Sequence, residues 1–458
     1  MSELPRGWGE DEAWNICELV QSGGTPKEGF IDKPGVPFLK VYNIVDQKID
    51  FEYRPQFIDV DIHRSSMAKS QAYPGDVLMN IVGPPLGKVA VIPDSFPTWN
   101  VNQALTIFRP SEAVTSEWLY YFLCGGNSVK SVINETRGSA GQVNISLSQC
   151  RAFKLPLPPL AEQKRIVAKL DALNAKSARA RTELARIETL VSRYKQAVLS
   201  KAFSGDLTRE WRKVASTVWP WRSEFWGDCG ETLNGRAFPS GDYCESGVRL
   251  LRPGNLGASG DVFWNEKNSR FLPDKYAVEF PKHFIKGEEI LINLTAQSLE
   301  DQFLARACLS SASDEFMLNQ RIGLFRPRNM IPKFCLFALK SPRFRGFVDN
   351  GMNSGSLIQH VHTKQLEQYE FEVPDIEEQH EIVRRIESAF AKIDRLAKEA
   401  ERALELVGRL DEAILAKAFR GELVRQDENV EPAEHLLARI RAERETAPKT
   451  KRGRRARA

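Results

Sequence analysis

One phrase is written twice in this chain. "KLPLPPLAEQKRIVAKLDAL" begins at Lys154, and "EFEVPDIEEQHEIVRRIESAF" follows from Glu370. Glu162-Gln163 and Glu378-Gln379 lie 216 residues apart, and that offset also carries Ile166 to Ile382, Arg193 to Arg409 and Phe203 to Phe419. The copies close as "LSKAFSGDL" and "LAKAFRGEL" without a gap. A repeat of this length limits the fold to one that builds the same element twice.

Each copy reads as a long helix. Ile166, Leu170, Leu184, Ile187, Val191 and Val198 in the first, and Ile382, Ile386, Leu396, Val407, Leu410 and Ile414 in the second, fall on alternating steps of three and four. A sustained 3.5-residue period marks a coiled-coil seam. Pro158-Pro159 and Pro374 precede the helices, and Gly205 and Gly421 follow their last turns, where a C-terminal glycine belongs. A repeat about a pseudo-twofold axis sets like elements antiparallel. A helix this long holds its ends roughly 60 Å apart, as a spacer would.

A looser repeat precedes each helix. "VNQALTIFRP" (101–110) returns as "LNQRIGLFRP" (318–327), and "FLKVYNI" (38–44) pairs with "RLLRPGNL" (249–256). Short β-branched and aromatic runs between Gly, Pro, Asn and Asp read as strands and turns. The helical signal is thinner, chiefly "SEWLYYFLCG" (116–125) and "PKFCLFALKS" (332–341). The expected fold class is α+β: two domains with bent, mainly antiparallel sheets, separated by two long helices forming an antiparallel coiled coil in a pseudo-twofold repeat. Expected boundaries are 1–157 and 208–373 for the domains, 158–207 and 374–423 for the helices, and 424–458 for an extension. Its last residues, "KTKRGRRARA" (449–458), read as a disordered basic tail.

Framework residues repeat while loops do not: "KEGFIDKPGVP" (27–37) has little in common with "SGDYCESGVR" (240–249). Two similar scaffolds with different loops, joined by a stiff rod, suit the reading of two different things at a fixed distance. A bivalent reader gains effective concentration only where its spacer matches the target. Duplex DNA is such a target, with half-sites about one helical turn or a multiple apart.

Composition permits this without demanding it. The net charge is +4 in 458 residues, hydrophobic residues make up 42%, and the seven cysteines are scattered with no CxxC pair. Reduced thiols in a soluble, cytoplasmic protein are expected. The opening "MSELPRGWGEDEAW" holds no apolar run of signal-peptide type.

These residues resemble the specificity (S) subunit of type I restriction-modification enzymes. The resemblance rests on the "LPLPPLAEQKRIV" and "EVPDIEEQHEIV" phrases, the helices ending in "KAFSGDL" and "KAFRGEL", and the two variable segments. It covers all but the tail after about Val424. The resemblance implies that each variable segment is a target recognition domain reading half of a bipartite, asymmetric DNA site. It implies that the coiled coil docks two methyltransferase (modification) subunits, which carry S-adenosylmethionine, and that restriction subunits with ATP and magnesium join them. It implies a non-catalytic chain with no cofactor of its own.

The residues agree. The nearest approach to a methyltransferase Asn/Asp-Pro-Pro-aromatic phrase is "NIVGPPLGKV", which also mimics a phosphate-binding loop through Gly83, Gly87 and Lys88. It is one residue short and has Pro84 and Pro85 where donating N–H groups are needed. His360 and His362 would share one strand face as two metal ligands might, without identifiable further ligands. Glu162, Gln163, Glu378 and Gln379 sit in first helical turns and are read as capping or partner-docking residues.

Phosphate contacts supply DNA affinity and base edges supply specificity. Loop position selects Thr25, Lys27, Asn43, Lys88, Gln142 and Asn144 as DNA-binding candidates in the first domain. Arg236, Arg252, Asn255, Asn353, Ser354 and Ser356 are their counterparts in the second. The competing reading is a bivalent coiled-coil scaffold for protein partners, without DNA.

Overall fold

Short apolar runs punctuated by turn residues become strands in both globular segments, and the two copies build the same sheets. The computed structural model describes residues 4–32, 34–83, 85–137, 144–215, 219–297, 302–351, 359–427 and 429–446. The chain divides into two compact units, 1–183 with 403–458 and 184–402. Each long helix therefore contributes one half to each unit.

In the first unit, a four-stranded antiparallel sheet runs in the order Val89–Val91, Val77–Asn80, Leu105–Arg109, Leu19–Ser22. A second sheet runs Phe30–Ile31, Phe57–Ile58, Val36–Leu39, Trp99–Val101, Gln71–Ala72, with one parallel pairing between Val36–Leu39 and Trp99–Val101. Leu78, Leu105 and Ile107 of the first sheet share a core with Leu39, Trp99 and Val101 of the second. Gly9–Glu12 pairs with Lys154–Leu157 and brings the segment's two ends together.

The second unit repeats this order. Its four-stranded sheet is Ala307–Leu309, Ile290–Asn293, Ile322–Pro327, Gly230–Asn234. Its other sheet is Phe271–Leu272, Val248–Leu251, Glu315–Leu318, Phe284–Lys286, again with one parallel pair, Val248–Leu251 with Glu315–Leu318. Arg222–Phe225 and Glu370–Val373 close the segment. The extra edge strand of the first unit, Phe30–Ile31, comes from the unrepeated loop at 27–37. The helices expected at 116–125 and 332–341 form as Ser116–Gly125 and Pro332–Leu339.

The long helices span Leu160–Phe203 and Ile376–Phe419. In the first unit, Ile166 and Leu170 share one apolar cluster with Ile414 and Ala418, while Arg181 pairs with Asp411. In the second, Leu199 and Ala202 share a cluster with Ile382 and Ile386, and Lys195 bonds Asp394 at 2.5 Å. In both, the lower numbers of one helix meet the higher numbers of the other, so the pairing is antiparallel. Lys195 and Asp411 occupy the same position of the repeat with opposite charge. The helices are gripped hardest near their ends. Phe419 sits 4.9 Å from Trp118, and Phe203 5.4 Å from Phe334. Each fully buried Leu, Ile or Phe contributes roughly 1.5–3 kcal/mol there.

The seam departs from the strict heptad. On the second helix Leu396 and Leu410 are 57% and 54% exposed, and Ala397 and Asp411 face inward instead. The sheltered positions from Ile382 to Ala418 take ten steps over 36 residues, as do those from Ile166 to Ala202. That is the 3.6-residue period of a helix without supercoil, and a 3.5-residue reading drifts off it. Leu184, Ile187, Val191, Val198 and Val407 are half-buried along this line.

Both helices stop at a left-handed glycine, Gly205 at φ 78° and Gly421 at φ 71°. A Cβ at Gly205 would lie 2.5 Å from the Trp219 ring, so both backbone and space disfavour another residue. The extension, expected to hold only a basic tail, also forms a helix, Ala433–Thr446. Leu437 packs into the first unit's core and Arg441 pairs with Asp11 of the Gly9–Glu12 strand. The basic tail at 449–458 lies outside the described residues. Among the described residues, all seven cysteines are free thiols, and no helix is long and apolar enough to cross a membrane.

Candidate nucleic-acid interface

The site begins at one turn that the chain builds twice. After Trp99–Val101, Asn102 N donates to Leu39 O at 2.9 Å, and Asn102 Oδ1 accepts from Ala104 N at 2.9 Å. After Glu315–Leu318, Asn319 N donates to Leu251 O at 3.3 Å and Asn319 Oδ1 accepts from Arg321 N at 3.1 Å. Each turn lies beside a 3-10 loop, Val41–Asn43 or Pro253–Asn255.

Asn43 and Asn255, chosen as DNA contacts, hold these loops from within. Asn43 Oδ1 accepts from Lys40 N at 3.0 Å, and its amide nitrogen donates to Asp50 O and Tyr53 O at 3.1 and 2.9 Å. Asn255 Oδ1 accepts from Arg252 N at 2.9 Å, and its amide reaches Phe263 O. Both are fully buried. With side-chain groups committed inside and no accessible surface, they position the loop and do not reach a ligand.

What the second loop presents is cationic. Arg252, Lys267, Arg270 and Arg321 line a cleft of about 650 Å³ with Phe238, Tyr243, Asn268, Asn319 and Gln320, and no carboxylate among the described residues lines it. Arg252 lies 6.0 Å from the Tyr243 ring centre. Arg236 is exposed and stacks 3.9 Å over Phe280, while its backbone bonds Leu318 O and Gln320 N beside the same turn. A cleft carrying positive charge, amides and aromatic faces suits a polyanion with flat, hydrogen-bonding edges.

The first unit offers different chemistry at the same place. Lys40, which occupies the position of Arg252, lies 5.2 Å over Phe30. Thr25 is exposed and donates to Gln103 on the repeated turn. Tyr53 and Arg54 stack nearby at 5.2 Å. Lys27 is exposed. Lys88 turns inward, its ammonium 3.0 Å from Ile44 O, and Asn144 is exposed at a bridge to Val82. Gln142, Asn353, Ser354 and Ser356 lie outside the described residues. Lys40, Gln103, Gln320 and Arg321 were not among the candidates, although the shared "NQ" of the two turns marks Gln103 and Gln320, and the alignment with Arg252 marks Lys40.

The helix-entry residues, expected to cap the helices or dock partners, turn inward. Glu162 is buried and accepts from the Trp8 indole at 3.1 Å. Gln163 accepts from Thr115 N and donates to Ala113 O and Pro158 O. Glu378 accepts from Thr208, Arg212 and Trp221. Gln379 accepts from Ile331 N and donates to Pro374 O. These four bolt each helix to its own domain and are sealed from any partner.

Among the described residues no constellation for catalysis emerges. His360 is exposed at the end of a two-residue strand, His362 begins a short helix, and no cluster among the described residues has the makings of a metal site. Burial pushes the Cys150 and Cys308 thiols up to about 12, away from nucleophilic use.

Comparison with known proteins agrees with this architecture. A family model described as the type I restriction modification DNA specificity domain matches residues 5–189 and again 221–406. The chain is 27% identical to the type I restriction enzyme EcoKI specificity subunit of Escherichia coli (strain K12), and 26% identical to the StySPI specificity subunit of Salmonella potsdam. Each alignment covers 96% of both chains. In fold it resembles the HsdS subunit from Thermoanaerobacter tengcongensis, with a TM-score of 0.58 and 18% identity over 92% of this chain and 98% of that one. A chain solved in work on complex assembly and conformational transition of the type I R-M system gives 0.67 and 19% over 92% and 100%. With the family model matching most of its length in two copies, the chain belongs to the type I restriction modification DNA specificity domain family.

Proposed function

We propose that this chain is the recognition component of a type I restriction-modification complex, reading a bipartite, asymmetric duplex DNA site with one unit per half-site. The observation that carries the reading is the repeated turn: one backbone, built twice, presents Lys40 and Gln103 in one unit and Arg252, Gln320 and Arg321 in the other. Equal scaffolds with unequal side chains read unequal half-sites. The long helices act as the spacer between half-sites.

Two methyltransferase subunits dock on the helices, and restriction subunits join them. Exposed apolar pairs support this. Leu190 and Tyr194 are 42% and 60% exposed, and Leu406 and Leu410, at the same repeat positions, are 60% and 54% exposed. Apolar residues repeated on a charged helix surface mark a contact made twice. Chemistry belongs to those partners, and this chain supplies the address.

The test is selection from random-sequence duplexes by the full chain together with its methyltransferase subunits. Enrichment of two short, different sequences with a constant unread gap supports the proposal. Absent or salt-insensitive DNA binding sinks it and favours a scaffold that joins proteins alone.

A further inference from the structure

The two turns share a set of backbone bonds. Ile81 N donates to Ala104 O and Leu294 N to Arg321 O, both at 2.9 Å. Leu105 N donates to Asn102 O at 3.0 Å and Ile322 N to Asn319 O at 2.9 Å. Gly23 N reaches Leu105 O and Gly235 N reaches Ile322 O, at 2.9 and 3.0 Å. At the third residue of this shared turn the side chains differ as much as two can, Ala104 in one unit and Arg321 in the other. The Arg321 side chain is exposed at the cleft, with no ion pair among the described residues, while its backbone is fixed at both N–H and C=O.

A fixed stem with a free guanidinium is the arrangement for reading a base, because the turn sets the origin of the fork and leaves its five donors to the ligand. A guanidinium pairs in bidentate fashion with the O6 and N7 acceptors of guanine in the major groove; a methyl group in its place makes no such bond. Resting on the DNA-reading role proposed above, we infer that Arg321 is a specificity-determining residue that reads a guanine in the half-site of the second unit. Ala104 leaves the corresponding position of the other half-site without that demand. One turn position thereby accounts for part of the asymmetry of the recognised site.

The experiment repeats the duplex selection with the full chain and its methyltransferase subunits, using wild type, Arg321→Ala, Arg321→Lys and Ala104→Arg. Arg321→Ala is expected to lose the preference for guanine at one position of one half-site by roughly 5- to 150-fold, the range of a bidentate base contact. The other half-site and the gap stay unchanged. Arg321→Lys keeps the charge but not the fork, and relaxes the same position. Ala104→Arg, placed on the same backbone, gains a guanine preference in the opposite half-site, a result that misfolding cannot imitate. If Arg321→Ala binds every sequence more weakly by one factor, the residue is a phosphate contact and the inference falls. It falls equally if selection by Arg321→Ala and Ala104→Arg is indistinguishable from wild type. If wild type itself selects no bipartite site, the DNA-reading role fails first and takes this inference with it.

Discussion

Trp221 donates its indole N–H to the Glu378 carboxylate at 2.9 Å, and Trp8 does the same to Glu162 at 3.1 Å. In each unit a tryptophan beside the first strand closing the domain thus reaches the helix that leaves it. The copies differ in what surrounds the carboxylate. Glu378 also holds the Arg212 guanidinium, with side-chain exposures of 1% and 10%, whereas Glu162 has no ion pair among the described residues.

This difference predicts unequal mutational costs. Glu378→Ala strips the half-buried Arg212 guanidinium of its carboxylate and is expected to cost about 3–5 kcal/mol. Glu162→Ala leaves one indole unsatisfied and is expected to cost about 1–3 kcal/mol. Urea unfolding of the full chain, followed by tryptophan fluorescence, gives both values. Equal losses would mean that Arg212 contributes nothing to the second clamp.

Two carboxylates near the helix starts titrate in opposite senses. Burial raises Glu162 above the usual carboxylate range, a shift that the Trp8 hydrogen bond only partly offsets. Its contribution to stability is therefore full below the unfolded value and is lost as pH rises through the folded one. Glu162→Gln, which keeps an acceptor for Trp8, should gain on wild type as pH rises from about 4.5 towards neutrality. Glu381 is held at about 2 by hydrogen bonds from Arg384 and then Arg385. Its contribution is full above the ordinary carboxylate range and declines as pH falls towards that value, so the deficit of Glu381→Gln should shrink on acidification. Chemical denaturation at a series of pH values distinguishes the two slopes, and parallel curves for both variants would contradict this assignment.

The apolar pairs on the helices predict a separation of stability from assembly. Leu190→Glu with Tyr194→Glu, or Leu406→Glu with Leu410→Glu, removes side chains that are already exposed, so unfolding should shift by no more than about 0.5 kcal/mol. Each double variant should lose one of two bound methyltransferase subunits, as read by the mass of the purified complex. Full stoichiometry with both doubles would place docking elsewhere.

Much of this was legible from residues alone, because a gapless repeat fixes the architecture before any contact is known. The helices, their glycine stops and the paired domains all follow from it. The exposure of Leu396 and Leu410 did not follow, since a heptad and a 3.6-residue line agree for two turns and diverge after several. The burial of Asn43 and Asn255 was equally hidden, as asparagine in a turn looks the same whether it faces a ligand or its own backbone. The inward role of Glu162 was hidden because its partner Trp8 is 154 residues away. The second unit's cleft collects Lys267 and Arg270 from the stretch leading into Phe271–Leu272, whose counterpart before Phe57–Ile58 shares no repeated phrase with it, so comparison of the copies passes over them.

The spacer role is tested most directly by removing one heptad from both long helices, residues 181–187 and 397–403, and repeating the duplex selection with the intact complex. The expected outcome is the same two half-site sequences separated by a shorter gap. Unchanged half-sites at an unchanged gap would show that the helices do not set the distance.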